Sequence, residues 1–309
     1  MYATVLLFSW IQSRTSVGIC NMKICKFLLY FITIFGLCEA KEYELVICSI
    51  FKNEAPWLKE WIDYHLYNGV DKFYLYNHMS DDNYQEVLDP YIKEGTVELI
   101  DWLYPEWPKA QLDAMKDAIR RIRKRAKWAA MIDVDEFIVC NRRKITCFLE
   151  PYHKHAGLSM NWLLFGTGGI SDLHGRSLIE TILLRSEIWY DEPKWNSNRF
   201  VKCIIRPDRI NENSKYASCG NHIFEPIEGF IIVNEHHIPQ FLECQATGVS
   251  VDKIQLNHYW FRDEKWFYET KIKRREETGY QYDSDLLKQM VDDCNQMVDL
   301  KILKHLPRK

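Results

Sequence analysis

Apolar and polar positions alternate between two rhythms along the first part of the chain. Residues 44–51, ELVICSIF, form a short continuous apolar run, the pattern of a strand buried on both faces. From 55 to 68 the apolar positions take helical spacing: Trp57, Leu58, Trp61, Ile62 and His65 share a face, and Gly69 stops the helix. KFYLYN (72–77) predicts a second strand, 80–83 a turn, and 84–93 a helix ending near Gly95. TVELIDW (96–102) predicts a third strand, residues 110–127 a helix, and WAAMIDVDEFIV (128–139) a fourth strand. Strand–helix alternation of this kind implies right-handed crossovers and a largely parallel sheet. Ligands of such a sheet belong beyond the carboxyl ends of its strands.

Past residue 140 the rhythm loosens. Segments 158–165 and 200–206 read as strands joined by irregular stretches rich in Gly, Asp and Trp, and helical patterns at 263–277 and 283–303 close the chain. Without a repeat, linker or low-complexity stretch, residues 41–309 read as a single α/β domain: a central, mostly parallel sheet flanked by helices, with an elaborated second half. Residues 1–40 read as a leader. Lys23 and Lys26 precede an apolar run at 27–37, then come the small residues Cys38 and Ala40, with Met22 a candidate start. The run is shorter than the roughly 20 residues of a spanning helix, which favours a cleaved signal peptide over a signal anchor. Either form predicts the secretory pathway, with export or membrane association through this segment.

Composition removes some classes of function. With 40 basic and 43 acidic residues the net charge is −3, so the basic surplus typical of nucleic-acid binding is absent. Charged residues at 27% and hydrophobic residues at 47% are ordinary for a folded domain. The ten cysteines include Cys20, Cys25 and Cys38 in the leader, and the irregular, odd remainder suits neither a disulfide scaffold nor a zinc knuckle. Cys48 reads as a buried thiol, and Cys140 and Cys147 could pair across a short loop in an exported protein. Eleven tryptophans exceed what the strands require. Trp57, Trp61 and Trp128 suit the core of the first half; Trp162, Trp189, Trp195, Trp260 and Trp266 either pack or stack on sugar rings.

The sharpest chemical feature is Asp133-Val134-Asp135-Glu136-Phe137. In an extended strand alternate side chains share a face, so Asp133 and Asp135 would point together and repel unless a cation lies between them. Mg²⁺ or Mn²⁺ suits two carboxylates; the plainer reading is an acidic turn capping the next helix. His258, in NHYW, is either an imidazole ligand for Mn²⁺ or a hydrogen-bonded core residue, and His222, His236 and His237 share that ambiguity. At the exit of strand one, Asn53 and Glu54 could hold a base or ribose, or Asn53 could cap the helix that starts near Pro56. This loop has no Gly-rich phosphate fingerprint, which shifts phosphate neutralisation onto a metal. The basic stretch 116–127 either attracts a nucleotide diphosphate or forms a solvated face around Ile119, Ile122 and Ala126.

In combination these segments resemble glycosyltransferase family 92. The likeness runs through IFKNE, EWIDYHLYNGV, FYLYNHMSDD, Gln111 opening a helix, W-x₄-DVDEF, NWLLFGTGG, VKCIIRP and NHYW, in order, over residues 43–280. The resemblance implies a GT-A type α/β fold, a nucleotide-sugar donor (UDP-galactose first), a glycan or glycoconjugate acceptor, a Mn²⁺ or Mg²⁺ cofactor and transfer with inversion. By position it assigns the metal to Asp133, Asp135 and His258, and the nucleotide sugar to Asn53, Glu54, Ser80, Asp81, Gln111 and Asp133. Inversion needs a base on the acceptor side, for which Asp172, Asp191 and Glu192 are the candidates in the second half. Two rivals use the same residues differently: a metal-dependent phosphohydrolase built on the acidic cluster, and a non-catalytic carbohydrate-binding protein with a tryptophan platform.

Overall fold

Strand β1 (Tyr43–Phe51) is the axis of the first half, buried from Leu45 to Phe51 as its continuous apolar run requires. The computed structural model describes residues 41–104, 107–188, 198–212, 222–277 and 279–307; residues 1–40, expected to be a leader, and Trp189, Asp191, Glu192 and Trp195 lie outside them. On one side β1 pairs in parallel with β2 (Lys72–Asn77), which pairs in parallel with β3 (Val97–Asp101). On the other side it pairs in parallel with β4 (Ala126–Met131). The intervening helices are α1 (Ala55–Tyr67), α2 (Tyr84–Lys93) and α3 (Trp107–Ile122).

The remaining strands are β5 (Glu136–Cys140), β6 (Gly157–Leu164), β7 (Leu184–Arg185), β8 (Val201–Ile205), β9 (Ile232–Val233), β10 (Ile254–His258) and β11 (Met297–Val298). The main sheet has nine strands in the order β3-β2-β1-β4-β8-β6-β10-β5, with β9 alongside β6, while β7 and β11 form a separate pair. Past β4 the pairing is mixed: β8 is antiparallel to β4 and β6, β10 is parallel to β6, and β5 is antiparallel to β10. This is the α/β architecture expected, a central sheet flanked by helices, mostly parallel only in its first half. The shorter helices are α4 (Ile145–Leu149), α5 (Leu178–Thr181), α6 (Glu264–Trp266), a π turn (Phe267–Ile272), α7 (Lys273–Glu277) and α8 (Ser284–Asp293).

Three expected elements are corrected. Residues 128–139 are two strands, because the backbone turns at Asp133–Asp135: Glu136 N–H donates to the Asp133 carbonyl (3.1 Å), and Asp133 N–H donates to the Glu136 carboxylate (2.8 Å). The helix expected over 110–127 ends at Ile122, and its basic tail is consumed by ion pairs. Arg125 meets Glu42 at 2.7 Å, Lys127 meets Glu44 at 2.7 Å and Arg123 meets Glu212 at 3.3 Å, along the amino-terminal edge of β1 and β4. The last helix stops at Asp293, because Asn295 Oδ1 accepts from Gly168 N–H (2.8 Å) and Gln296 N–H donates to Arg185 (3.0 Å). The chain then enters β11. Cys140 and Cys147 are both free thiols, so the pairing considered between them is absent; Cys244 is disulfide-bonded.

Helix α1 fastens β5 into place. Trp61 Nε1 donates to the Glu136 carbonyl (2.8 Å), Tyr64 Oη donates to the Ile138 carbonyl (2.8 Å), and the His65 ring stacks on Phe137. His65 Nδ1 lies 2.8 Å from the Trp61 carbonyl, which makes Nδ1 the protonated nitrogen of a neutral ring. Burial lowers the His65 pKa from 6.5 to about 3, against a small opposing effect of the Trp61 carbonyl. Below pH 6.5 the unfolded chain binds a proton that the folded chain refuses. This histidine therefore removes about 1.4 kcal/mol of stability per pH unit as the pH falls from 6.5 towards 3. Urea unfolding at pH 7 and pH 5 checks this. His65→Phe, which keeps the stack on Phe137, is expected to flatten the slope by that amount; equal slopes in the two proteins refute it.

Candidate active site

Sheet topology assembles the acidic cluster from distant segments. Because β5 runs antiparallel to β10, Glu136 stands opposite His258 in register. Because β8 runs antiparallel to β4, with Met131 opposite Cys203, Lys202 falls beside the chain just beyond β4. The turn at Asp133–Asp135 projects its carboxylates between these strands. Tyr259 N–H donates to the Asp135 carbonyl (2.8 Å) and fixes the turn to the end of β10.

Each acidic group has its own counter-charge. Asp133 Oδ2 lies 2.9 Å from Lys202 Nζ, and the same ammonium is 3.9 Å from Glu136 Oε1. Lys202 is fully buried, whereas Asp133 is 29% exposed. Asp135 Oδ2 lies 3.1 Å from Lys271 Nζ, on the π turn, and Asp135 Oδ1 lies 3.5 Å from His258 Nε2. Burial alone would raise the Asp135 carboxyl, but Lys271, then His258 and Arg262, outweigh it and hold the group well below the usual carboxylate range. Glu136 goes the other way. Burial pushes its carboxyl well above that range; Lys202 opposes this, and the charges of Asp133 and Asp135 reinforce it. The His222 ring, half-buried against Trp162 and near Lys202, is lowered to about 3, chiefly by desolvation and then by that lysine, so it stays neutral.

The loops after β1 and β2 form a second polar group. Asn53 takes a positive φ of 55°, which asparagine tolerates better than most residues. Its N–H donates to Ser80 Oγ (2.9 Å), its Nδ2 donates to Asp81 Oδ1 (2.6 Å), and Asp81 N–H returns a bond to Asn53 Oδ1 (2.9 Å). Ser80 N–H in turn donates to Asn77 Oδ1 (3.0 Å). Asn53 thus bridges the two loops and does not cap α1, whose N-cap residue is Glu54. The Glu54 carboxylate is buried against Arg262 Nη2 (2.6 Å), with Arg274 Nη1 at 3.4 Å. Arg262 is 1% exposed and lies between the rings of Trp57 (4.8 Å) and Trp266 (4.6 Å). Its backbone φ of 54° is strained for an arginine, by roughly 1–2 kcal/mol, so the ion pair and the two rings hold a conformation the chain alone disfavours.

The structure brings Asp135 and His258 together and sets Asp133 beside Lys202. Asn53, Ser80 and Asp81 form the loop pair at the carboxyl ends of β1 and β2, and Glu54 faces Arg262. Gln111 is half-buried near the start of α3, next to Ala110, whose carbonyl accepts from Trp102 Nε1 (3.0 Å). Asp172 is not brought to the cluster. Its carboxylate pairs with Lys265 at 2.8 Å, which with the His174 N–H holds its pKa low. It borders a separate hollow of about 700 Å³ beside α1, lined by Glu60, Asp172, Arg176 and Lys265 but by none of the acidic cluster.

Four cationic residues escaped the sequence reading: Lys202, Lys271, Arg262 and Arg274. Lys202 carried a signal, since a lysine inside the apolar strand VKCII must find a buried acid. The others looked like ordinary charges on a helical pattern. The tryptophans pack: Trp57 lies against the core of the first half and, with Trp266, encloses Arg262, Trp162 is a core residue in contact with His258 (4.3 Å), and Trp260 lies under Lys271 (5.3 Å).

Glu235, His236 and Asp252 are the group of three donors whose ligand atoms lie together among the described residues, at the opposite end of β10. The Glu235 carboxylate is already filled by the N–H groups of Asp252, Lys253 and Ile254 and by Ser250 Oγ, all within 2.8 Å. It acts as a backbone anchor.

The model of glycosyltransferase family 92 matches residues 41–290. The chain belongs to glycosyltransferase family 92. A family 92 protein of Ricinus communis is 36% identical over 104 residues, a stretch covering 33% of this chain and 18% of that protein. A beta-1,4-galactosyltransferase of Caenorhabditis elegans is 22% identical over 270 residues, covering 84% of this chain and 56% of the enzyme. The matched region is thus less than two thirds of the length of either relative. Among solved structures, Staphylococcus aureus TarS 1–349 superposes with a TM-score of 0.38 at 10% identity, covering 85% of this chain and 71% of that one. Within the family 92 domain, the groups next to Asp133 and Asp135 are two ammoniums, an imidazole and a third carboxylate, that of Glu136.

Proposed function

We propose that this family 92 chain is a metal-dependent inverting glycosyltransferase, moving a hexose from a nucleotide sugar to a glycan or glycoconjugate acceptor, with UDP-galactose the first donor to test. The observation that carries the reading is the buried Asp135–His258 pair, 3.5 Å apart, at the sheet end that also bears the Asn53–Ser80–Asp81 loops. The donor set suits the metal. Asp135 is held ionised, and one carboxylate with one imidazole favours Mn²⁺ over Mg²⁺. His258 Nδ1 is buried without a hydrogen-bond partner among the described residues, as in a ring not committed to a core network. Asp135 and His258, with Asp133, would hold the cation, which when bound supplies positive charge to stabilise a departing nucleoside diphosphate.

The protein's own groups supply the rest. Asn53, Ser80 and Asp81 present a fixed polar edge to the base and ribose, and Glu54 braces that loop through Arg262. A carboxylate on the acceptor side takes the proton of the attacking hydroxyl; Asp191 and Glu192 remain the better candidates, since Asp172 is bound to Lys265 away from the cluster. The leader and the disulfide at Cys244 support a secretory, oxidising compartment. Membrane association would rest on residues 22–40, as no helix among the described residues is long and apolar enough to cross a bilayer.

The test is sugar transfer from a panel of UDP-hexoses with Mn²⁺, comparing the wild type with Asp133→Ala and Asp135→Ala. Transfer by the wild type and its loss in both variants is the expected outcome. Undiminished turnover in the variants would remove the metal assignment.

A further inference from the structure

The two ammoniums of the acidic cluster are not equivalent. Lys202 is 0% exposed, sits within strand β8, and serves both Asp133 and Glu136; it is locked into the sheet. Lys271 is 16% exposed and serves Asp135 alone. It extends from the π turn Phe267–Ile272, a helical form that occurs mostly as short interruptions at functional sites. Its ammonium donates a hydrogen bond to Asp135 Oδ2 (3.1 Å) and lies 5.3 Å from the Trp260 ring centroid, so one hydrogen bond and one ring contact hold it in place. The same segment carries Arg274, which reaches the Glu54 carboxylate in the loop after β1. Residues 262–274 therefore set three cations against the carboxylates of the crevice, and Lys271 is the one on the carboxylate assigned to the metal.

Charge counting gives this placement a consequence. Lys202 and Lys271 face the three carboxylates of Asp133, Asp135 and Glu136, so even with all three ionised a divalent ion arriving alone would leave the cluster with a surplus of positive charge. A nucleotide sugar brings one negative charge on each of its two phosphates, which offsets the ion. We infer that Lys271 is an exchangeable counter-ion, a diphosphate-positioning residue held on Asp135 until metal and donor arrive together. Its four-carbon stem allows the ammonium to leave Asp135 for a phosphate oxygen without moving the backbone. Lys271 thereby makes metal binding depend on the nucleotide and discourages the ion from binding alone. The inference rests on the metal and donor roles proposed above and adds a residue and a binding order to them.

The test is calorimetric titration of the full chain with Mn²⁺, alone and with saturating UDP, for the wild type, Lys271→Met and Lys271→Arg. In the wild type, UDP should tighten Mn²⁺ binding by about tenfold or more, within the usual range of coupling between sites. Lys271→Met should bind Mn²⁺ alone about tenfold more tightly than the wild type, gain little from UDP, and bind UDP more weakly when Mn²⁺ is present. Lys271→Arg should behave as the wild type, and melting curves confirm that each variant folds. A lysine that only neutralises Asp135 would also tighten Mn²⁺ when removed, so the deciding readout is the weaker binding of UDP in the presence of Mn²⁺, which such a lysine would leave unchanged. Coupled binding that is unchanged in Lys271→Met overturns this inference and leaves the proposed function standing. Absence of Mn²⁺ and UDP binding in all three proteins overturns both.

Discussion

Asp135→Asn is expected to lower sugar-transfer kcat/KM by roughly 10²–10³-fold while leaving the fold intact. The size follows from what the carboxylate does. Asp135 is 6% exposed, held ionised, and placed against His258 and Lys271, so its charge acts where water screens it poorly. Asparagine keeps the shape and the turn, whose backbone bonds to Glu136 and Tyr259 do not use the side chain. Lys271 loses its partner but retains partial access to water, so the loss of stability should stay below the roughly 3–5 kcal/mol typical of a broken, fully buried pair. Steady-state kinetics over a Mn²⁺ series, with a melting curve on the same preparation, reads both quantities. Near-wild-type turnover in a folded Asp135→Asn protein would remove Asp135 from the site.

The largest stability effect is expected at Glu54. Its carboxylate is 8% exposed and lies 2.6 Å from a guanidinium that is 1% exposed and enclosed by two tryptophans. Glu54→Gln strips the charge from one side and leaves Arg262 with nowhere to find water, which should cost about 3–5 kcal/mol in urea unfolding. Arg262→Met should cost less, because Glu54 keeps Arg274 as a counter-charge and methionine keeps an apolar stem between the two tryptophans. The double variant should be more stable than Glu54→Gln alone, as removing both charges leaves none stranded. A Glu54→Gln protein within 1 kcal/mol of the wild type would show the pair to be incidental.

The elements legible in the sequence were those whose burial is written locally. The run ELVICSIF could only be a strand covered on both sides, and the face Trp57–Trp61–His65 could only turn inward, as Trp61 and His65 do at 0% exposure. DVDEF misled because period-two alternation cannot distinguish two carboxylates on one strand face from two on a turn between strands. The turn prevails because it gives the Asp133 N–H a carboxylate acceptor and frees β5 to pair with β10. Asp135 and His258 were each visible as candidates, but their contact depends on β10 and β5 lying antiparallel at the sheet edge, a long-range outcome. Lys271 and Arg262 were invisible for another reason: a lysine or arginine in a helical pattern is solvated by default, and only the three-dimensional neighbourhood shows these two turned toward acids.

The central claim, that this sheet end binds a nucleotide sugar with a divalent ion, is tested most directly by thermal shift with UDP-sugars in the presence and absence of Mn²⁺. Stabilisation by a UDP-sugar only when Mn²⁺ is present, and lost in Asp135→Asn, is the predicted result. Indifference of the folded wild-type protein to every nucleotide sugar, with or without the metal, would contradict it.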